Sequence, residues 1–157
     1  MSARRPIILQ WTCWALVPLA LVAAAAATPY FLTHGAPLLG LALERGFAIV
    51  CHQRPERSFA LFGATIAVCS RCLGIYLGAA VGLLFRASRT VAVRLLMLAI
   101  ALNLLDAATE LAGWHQNWLG VRFALGAMLG ATGALLISSS LSCALDKDNS
   151  HPLSQAA

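Results

Sequence analysis

Residues 7–32 read IILQWTCWALVPLALVAAAAATPYFL, without one Asp, Glu, Lys or Arg. About 20 such apolar residues cross the roughly 30 Å hydrocarbon core of a bilayer as a helix. This stretch therefore decides the class, and Arg4 and Arg5 open it. A cleaved leader is the alternative, because Ala23–Ala27 offers small residues. A leader has an apolar core of only about 7–15 residues, and Trp11, Cys13 and Trp14 suit a permanent anchor better.

Working outward, the charge-free zone extends over residues 6–43, and a second covers 123–145. Only 11% of the 157 residues are charged and 60% are apolar, against about 25% charged in a soluble domain. Mean hydropathy is +0.79 and the pI is near 9.3. The surplus Arg is scattered between apolar spans rather than gathered in a patch, which argues against nucleic-acid binding. The composition also excludes a disordered chain.

The expected fold is an all-α membrane protein: a bundle of about four transmembrane helices, one short interfacial helix and a Cys/His loop. The spans are expected at about 7–32, 68–86, 91–112 and 121–143. Leu38–Val50 is apolar but too short to cross and is interrupted by Glu44 and Arg45, so it reads as a helix of about 38–50 lying on the surface. Residues 51–67 form the Cys/His loop, where Gly63, Thr65 and Ile66 give a β-rich character. Residues 1–145 make one domain, and 146–157 read as a flexible polar tail.

Orientation follows from the Arg and Lys flanking the spans. Placing the N-terminus inside puts Arg4, Arg5, Arg86, Arg89, Arg94 and Lys147 on the inner side. Arg45, Arg54, Arg57, Arg71 and Arg122 then lie on the outer side. This bias points to cytoplasmic termini in the cell inner membrane. Gly74, Gly78 and Gly82 repeat every four residues on the second span, as do Gly126, Gly130 and Ala134 on the fourth. Ridges of small residues let helix backbones approach closely in lipid.

Chemistry concentrates after Cys51-His52. After sixteen intervening residues, Cys69-Ser70-Arg71-Cys72 opens the second span. A CxxC at a helix start places two sulfurs one turn apart, where backbone N–H groups favour negative charge. Adding Cys51 and His52 from the loop supplies the ligand types of a tetrahedral Zn²⁺ site. Adjacent residues bind one ion with strain, so only one of Cys51 and His52 need ligate. A redox-active dithiol and plain packed thiols remain open alternatives. Cys13 and Cys143 lie toward the opposite side and read as packing residues. Arg71 between the cysteines could offset thiolate charge, or hold a phosphate or carboxylate of a lipid or substrate. Arg54 and Arg57 read as side chains reaching headgroups.

On the third span Asn103, Asp106 and Glu110 fall on one helix face. Ionisable groups within a span normally face the bundle interior or water. Two carboxylates one turn apart suit proton exchange or acid–base work. The alternative is that they pair with Arg71 and Arg122 and lock the helices together. His115 and Asn117 in the following turn could complete a site.

Cys51-His52-Gln53-Arg54-Pro55-Glu56-Arg57-Ser58-Phe59, taken with Cys69-Ser70-Arg71-Cys72-Leu73-Gly74-Ile75-Tyr76-Leu77-Gly78, resembles a known family. These are small prokaryotic integral membrane proteins of unknown function with a CHQxPxRSF…CxRCxGIYxG signature. The resemblance covers roughly residues 45–130. It implies that Cys51, His52, Gln53, Pro55, Arg57, Ser58, Cys69, Arg71, Cys72, Gly74 and Tyr76 are motif positions. Asp106, and Arg122 followed by Gly126, resemble its later motif. Ala67 stands where the family often has proline, and Ala107 and Glu110 stand where it usually has Gly and Gln. The family's Asn lies closer to the Arg than Asn117 does to Arg122. No activity comes with the resemblance.

Three functional readings follow. The first is a zinc-type site of Cys51, His52, Cys69 and Cys72 beside a pocket of Arg71, Asp106, Glu110 and Arg122. The second is a thiol–disulfide oxidoreductase using Cys69 and Cys72 with a quinone. The third is a small proton-coupled transporter, which with four spans would need to form a homo-oligomer. Expected partners are the lipid bilayer and a lipid or small anion near Arg71 and Arg122.

Overall fold

The computed structural model describes residues 4–114 and 118–149, with side-chain surroundings for 13–114 and 118–141. Five helices carry the fold: α1 (Arg4–Thr33), α2 (Pro37–Ala48), α3 (Ser70–Gly82), α4 (Arg89–Leu111) and α5 (Leu119–Asn149). Between α2 and α3 lie a 3-10 turn at Pro55–Arg57 and a hairpin of β1 (Ala60–Leu61) and β2 (Ala64–Thr65). The all-helical membrane architecture is thus present, with the β-rich loop reduced to one short hairpin.

Segments of three helices are long and apolar enough to cross a membrane: Cys13–Thr33, Arg89–Leu111 and Leu119–Leu141. The span expected at 68–86 corresponds to a shorter helix, α3. Its helix has 13 residues, about 20 Å at 1.5 Å per residue, against a hydrocarbon core of roughly 30 Å. Val68 lies in a bend and Cys69 is extended, and the chain leaves the helix after Gly82 through turns in which Leu84 and Phe85 donate to Val81 and Gly82. Three glycines in 13 residues weaken an isolated helix by roughly 1 kcal/mol each relative to Ala. Packing therefore has to hold α3 in place. The other end differs too: α5 continues through Asn149, into the residues expected as tail.

That packing is the closest in the molecule. Helices α3 and α5 run parallel because α4 returns the chain between them. A Cβ on Gly74, Gly78 or Gly82 would collide with the carbonyl oxygens of Phe123, Ala127 and Ala131 respectively. From the opposite side, Gly126 and Gly130 meet the carbonyls of Arg71 and Ile75. The two small-residue ridges interlock, so the backbones nearly touch.

The helices stand in a row, α1 beside α3, α3 beside α5 and α5 beside α4, with α2 folded against α1. Asn103 Nδ2 ties α4 to α5 by donating to the Leu125 carbonyl at 3.1 Å. Ser138 Oγ donates to the Phe85 carbonyl at 3.3 Å at the other end of the row. Helix α4 ends at Gly113, whose φ of +72° permits a Schellman closure. Gly113 N–H donates to the Glu110 carbonyl and Trp114 N–H to that of Thr109, both at 3.0 Å.

Among the described residues a core cluster forms at one end. Ala25, Phe47, Cys51, Ile66, Ala67 and Val68 are buried together there, with Phe59, Leu73 and Tyr76 packed around them. Elsewhere large side chains such as Met97, Leu104 and Leu105 face outward, as lipid-facing surfaces require. Helix α2 likewise exposes Leu38, Leu39 and Leu41, an apolar face suited to the membrane surface.

Candidate metal centre

Local chain geometry brings the sulfurs to the top of α3. Cys69 is its N-cap residue, in extended conformation, and Cys72 lies in the first turn. The preceding loop is held down at Gln53, which takes a positive φ of 48°. Its Nε2 donates to the carbonyls of Glu44 at 2.6 Å and Ala67 at 2.7 Å. Ala67 N–H in turn donates to the Ala25 carbonyl of α1 at 3.3 Å. The loop is therefore pinned to α2, to α1 and to the approach of α3 at once.

The outcome is a cluster of three thiols. The sulfurs of Cys51, Cys69 and Cys72 all lie within 4.8 Å of one another. Cys51 is buried, and its sulfur accepts a hydrogen bond from the Cys69 backbone N–H at 3.2 Å. The Cys72 thiol donates to the Cys69 sulfur, pulling Cys69 down to about 5, and the same partnership pushes Cys72 upward.

A tetrahedral zinc ion with Zn–S bonds of about 2.3 Å needs sulfurs about 3.8 Å apart, so sub-ångström adjustments suffice. Amide-to-sulfur hydrogen bonding of the Cys51 kind supports thiolate ligands. His52 is exposed and outside the cluster. Cys13 is exposed, and the Cys143 side chain falls outside the described residues.

The arginines and carboxylates meet beside this cluster. Arg71 is paired with Asp106, and Arg122 with Glu110. Arg57 joins the second pair, its Nη2 lying 2.9 Å from Glu110 Oε1. The alternative of carboxylates locking helices together is therefore the arrangement observed. Asp106 and Arg122 are buried, at 8% and 4% exposure, while Arg57, Arg71 and Glu110 keep part of their surface exposed. His115 and Asn117 lie outside the described residues.

Cys51, Cys69 and Cys72 share one cavity of about 260 Å³ with Arg54, Arg57, Arg71 and Arg122. Val50, His52 and Gln53 complete its wall. Sequence reasoning assigned no role to Gln53 and sent Arg57 to the headgroups. Only their positions within the cysteine-rich motif marked them.

Comparison with known proteins agrees with this architecture. A family model described as "Predicted membrane protein (DUF2085)" matches residues 51–136. An uncharacterized protein of Methanocaldococcus jannaschii is 32% identical over 104 residues, covering 60% of this chain and 65% of the archaeal protein. One from Methanothermobacter thermautotrophicus is 37% identical over 95 residues, covering 57% of this chain and 86% of its own length. No solved structure matches.

Proposed function

The chain belongs to the DUF2085 family of predicted membrane proteins, and on that premise we propose that it is an inner-membrane protein with a thiolate-bound metal ion at its outer face. The observation that carries this reading is the convergence of Cys51, Cys69 and Cys72 from two sides of an 18-residue separation. Three soft thiolates favour zinc among the common ions. Termini on the cytoplasmic side follow from the Arg-bearing turn at 86–94, which puts the sulfurs on the outer side.

Cys51, Cys69 and Cys72 would hold the ion, and its bonds would brace the loop against α3. Three protein ligands leave a tetrahedral ion one position for water or another ligand, with Lewis acidity available to whatever occupies it. His52, at the cavity wall, is the nearest alternative fourth ligand by sequence. Elemental analysis of the purified protein, with Cys51→Ser, Cys69→Ser and Cys72→Ser beside it, tests the site. About one zinc per native chain and loss in each variant is the expected result. Metal-free native protein that stays folded would end the reading.

A second reading draws on the depressed Cys69 thiol, hydrogen-bonded by Cys72. A CxxC thiolate of this kind initiates thiol–disulfide exchange. Closing a Cys69–Cys72 disulfide from a thiolate and a thiol would release two electrons and one proton, and a quinone would accept both together with a second proton from water. Thiol trapping under oxidising and reducing conditions tests it; thiols unchanged in both would sink it. The transporter reading is the weakest, because Asp106 and Glu110 are both engaged by arginine.

A further inference from the structure

We propose that the arginine-lined cavity binds a phosphate group, borne by a lipid headgroup or by a free phosphate. The proposal goes beyond the metal reading, because it rests on the guanidinium groups and stands whether or not an ion sits on the sulfurs.

Charge is the first argument. Arg54, Arg57, Arg71 and Arg122 line a single cavity. Asp106 and Glu110 pair with three of them, so the four arginines and two carboxylates leave a surplus of two, from which the Cys69 thiolate of the metal-free protein subtracts one. A zinc ion on three thiolates would subtract one and leave the site positive. Either way the site keeps a net positive charge, which an anion answers, and a phosphate group offers more acceptor oxygens to several guanidinium groups than a carboxylate does.

Unsatisfied donors are the second. Arg122 is 4% exposed, and its Nε has no hydrogen-bond partner among the described residues. The same holds for Arg71 Nε. Their terminal nitrogens already hold Glu110 and Asp106. The protein thus gathers more guanidinium donors here than it supplies acceptors for. Planar guanidinium forks suit the several oxygens of a phosphate.

Position is the third. Val50, on the cavity wall, is 65% exposed, and Ile49 before it is 86% exposed. An apolar rim at the end of α2 puts the opening at the height where phospholipid headgroups sit. The volume of about 260 Å³ is ample for one phosphate group.

Calorimetric titration of the full chain in detergent with inorganic phosphate, and with acetate for comparison, tests the proposal. Arg54→Gln alters an exposed rim residue, and Arg71→Lys keeps the charge while removing the fork. Removing one charge-assisted contact should weaken phosphate binding about tenfold in each variant, with acetate weaker than phosphate. Nanodiscs of phosphatidylcholine with and without phosphatidic acid separate the two sources. Competition by phosphatidic acid assigns the site to a headgroup; equal phosphate affinity in both discs assigns it to free phosphate. Phosphate affinity unchanged in folded Arg54→Gln protein, or acetate bound as tightly as phosphate, overturns the proposal. Native protein that binds phosphate without metal would fail only the metal reading, whereas metal-loaded protein that ignores phosphate would fail only this one.

Discussion

The backbone N–H of Cys69 donates to the sulfur of Cys51 at 3.2 Å. This one contact closes the Cys/His loop and sets the first sulfur beside the helix that carries the other two. A loop of this length has little reason to close by itself, since ordering each residue costs about 1–2 kcal/mol of backbone entropy. The closure therefore depends on what surrounds it, and four predictions follow the dependence outward.

Cys51→Ser should release the metal while leaving the helices folded. Cys69 and Cys72 sit on α3, whose packing against α5 does not involve Cys51. Elemental analysis should show metal loss, and circular dichroism should show helix content close to native. Loss of both together would mean that the ion organises the bundle as well as the loop.

Gln53→Ala should loosen the loop. The substitution strands the carbonyls of Glu44 and Ala67, which Gln53 now satisfies. A buried acceptor left unpaired costs about 1–3 kcal/mol. Thermal unfolding should fall accordingly, and chelators should strip metal from the variant faster than from native protein. An unchanged chelation rate would show that Gln53 does not hold the sulfurs in place.

Gly78→Ala should separate α3 from α5, because the new methyl meets the Ala127 carbonyl. Overpacking of this kind costs about 1–3 kcal/mol. Gly133→Ala is the control: a Cβ there meets nothing within 4 Å, so helix propensity should make it neutral or stabilising. Equal behaviour of the two in detergent unfolding would contradict the interlocked ridges.

Glu110→Gln should leave Arg122 buried with its counter-charge gone. Breaking a buried pair costs about 3–5 kcal/mol. Arg122→Gln alone should cost a similar amount, and the double variant should cost much less than the two added. A double-mutant cycle by thermal unfolding measures this coupling. Additive losses would mean that the pair contributes nothing jointly.

Much of this was legible in the chain. The charge-free stretches of residues 7–32 and 123–145 foretold α1 and α5, because hydropathy acts locally and needs no partner. The i, i+4 glycines foretold a close helix contact for the same reason. The length of α3 was not legible. Residues 73–85 carry no charge, so hydropathy cannot mark where glycine weakens the helix and where turns take over. Arg57 was misread because its partner, Glu110, lies 53 positions away, beyond any periodic signal.

The sequence by itself determined the class, the three long apolar helices and the identity of the reactive groups, all of which follow from residue type and local period. Only the tertiary structure decided which of those groups meet. It buried Cys51, whose sulfur accepts from the Cys69 N–H, and left His52 exposed, although the two are adjacent. It also set three arginines against two carboxylates. Pairing of this sort depends on α3, α4 and α5 lying side by side, and the close backbone approach at Gly74, Gly78 and Gly126 makes that possible.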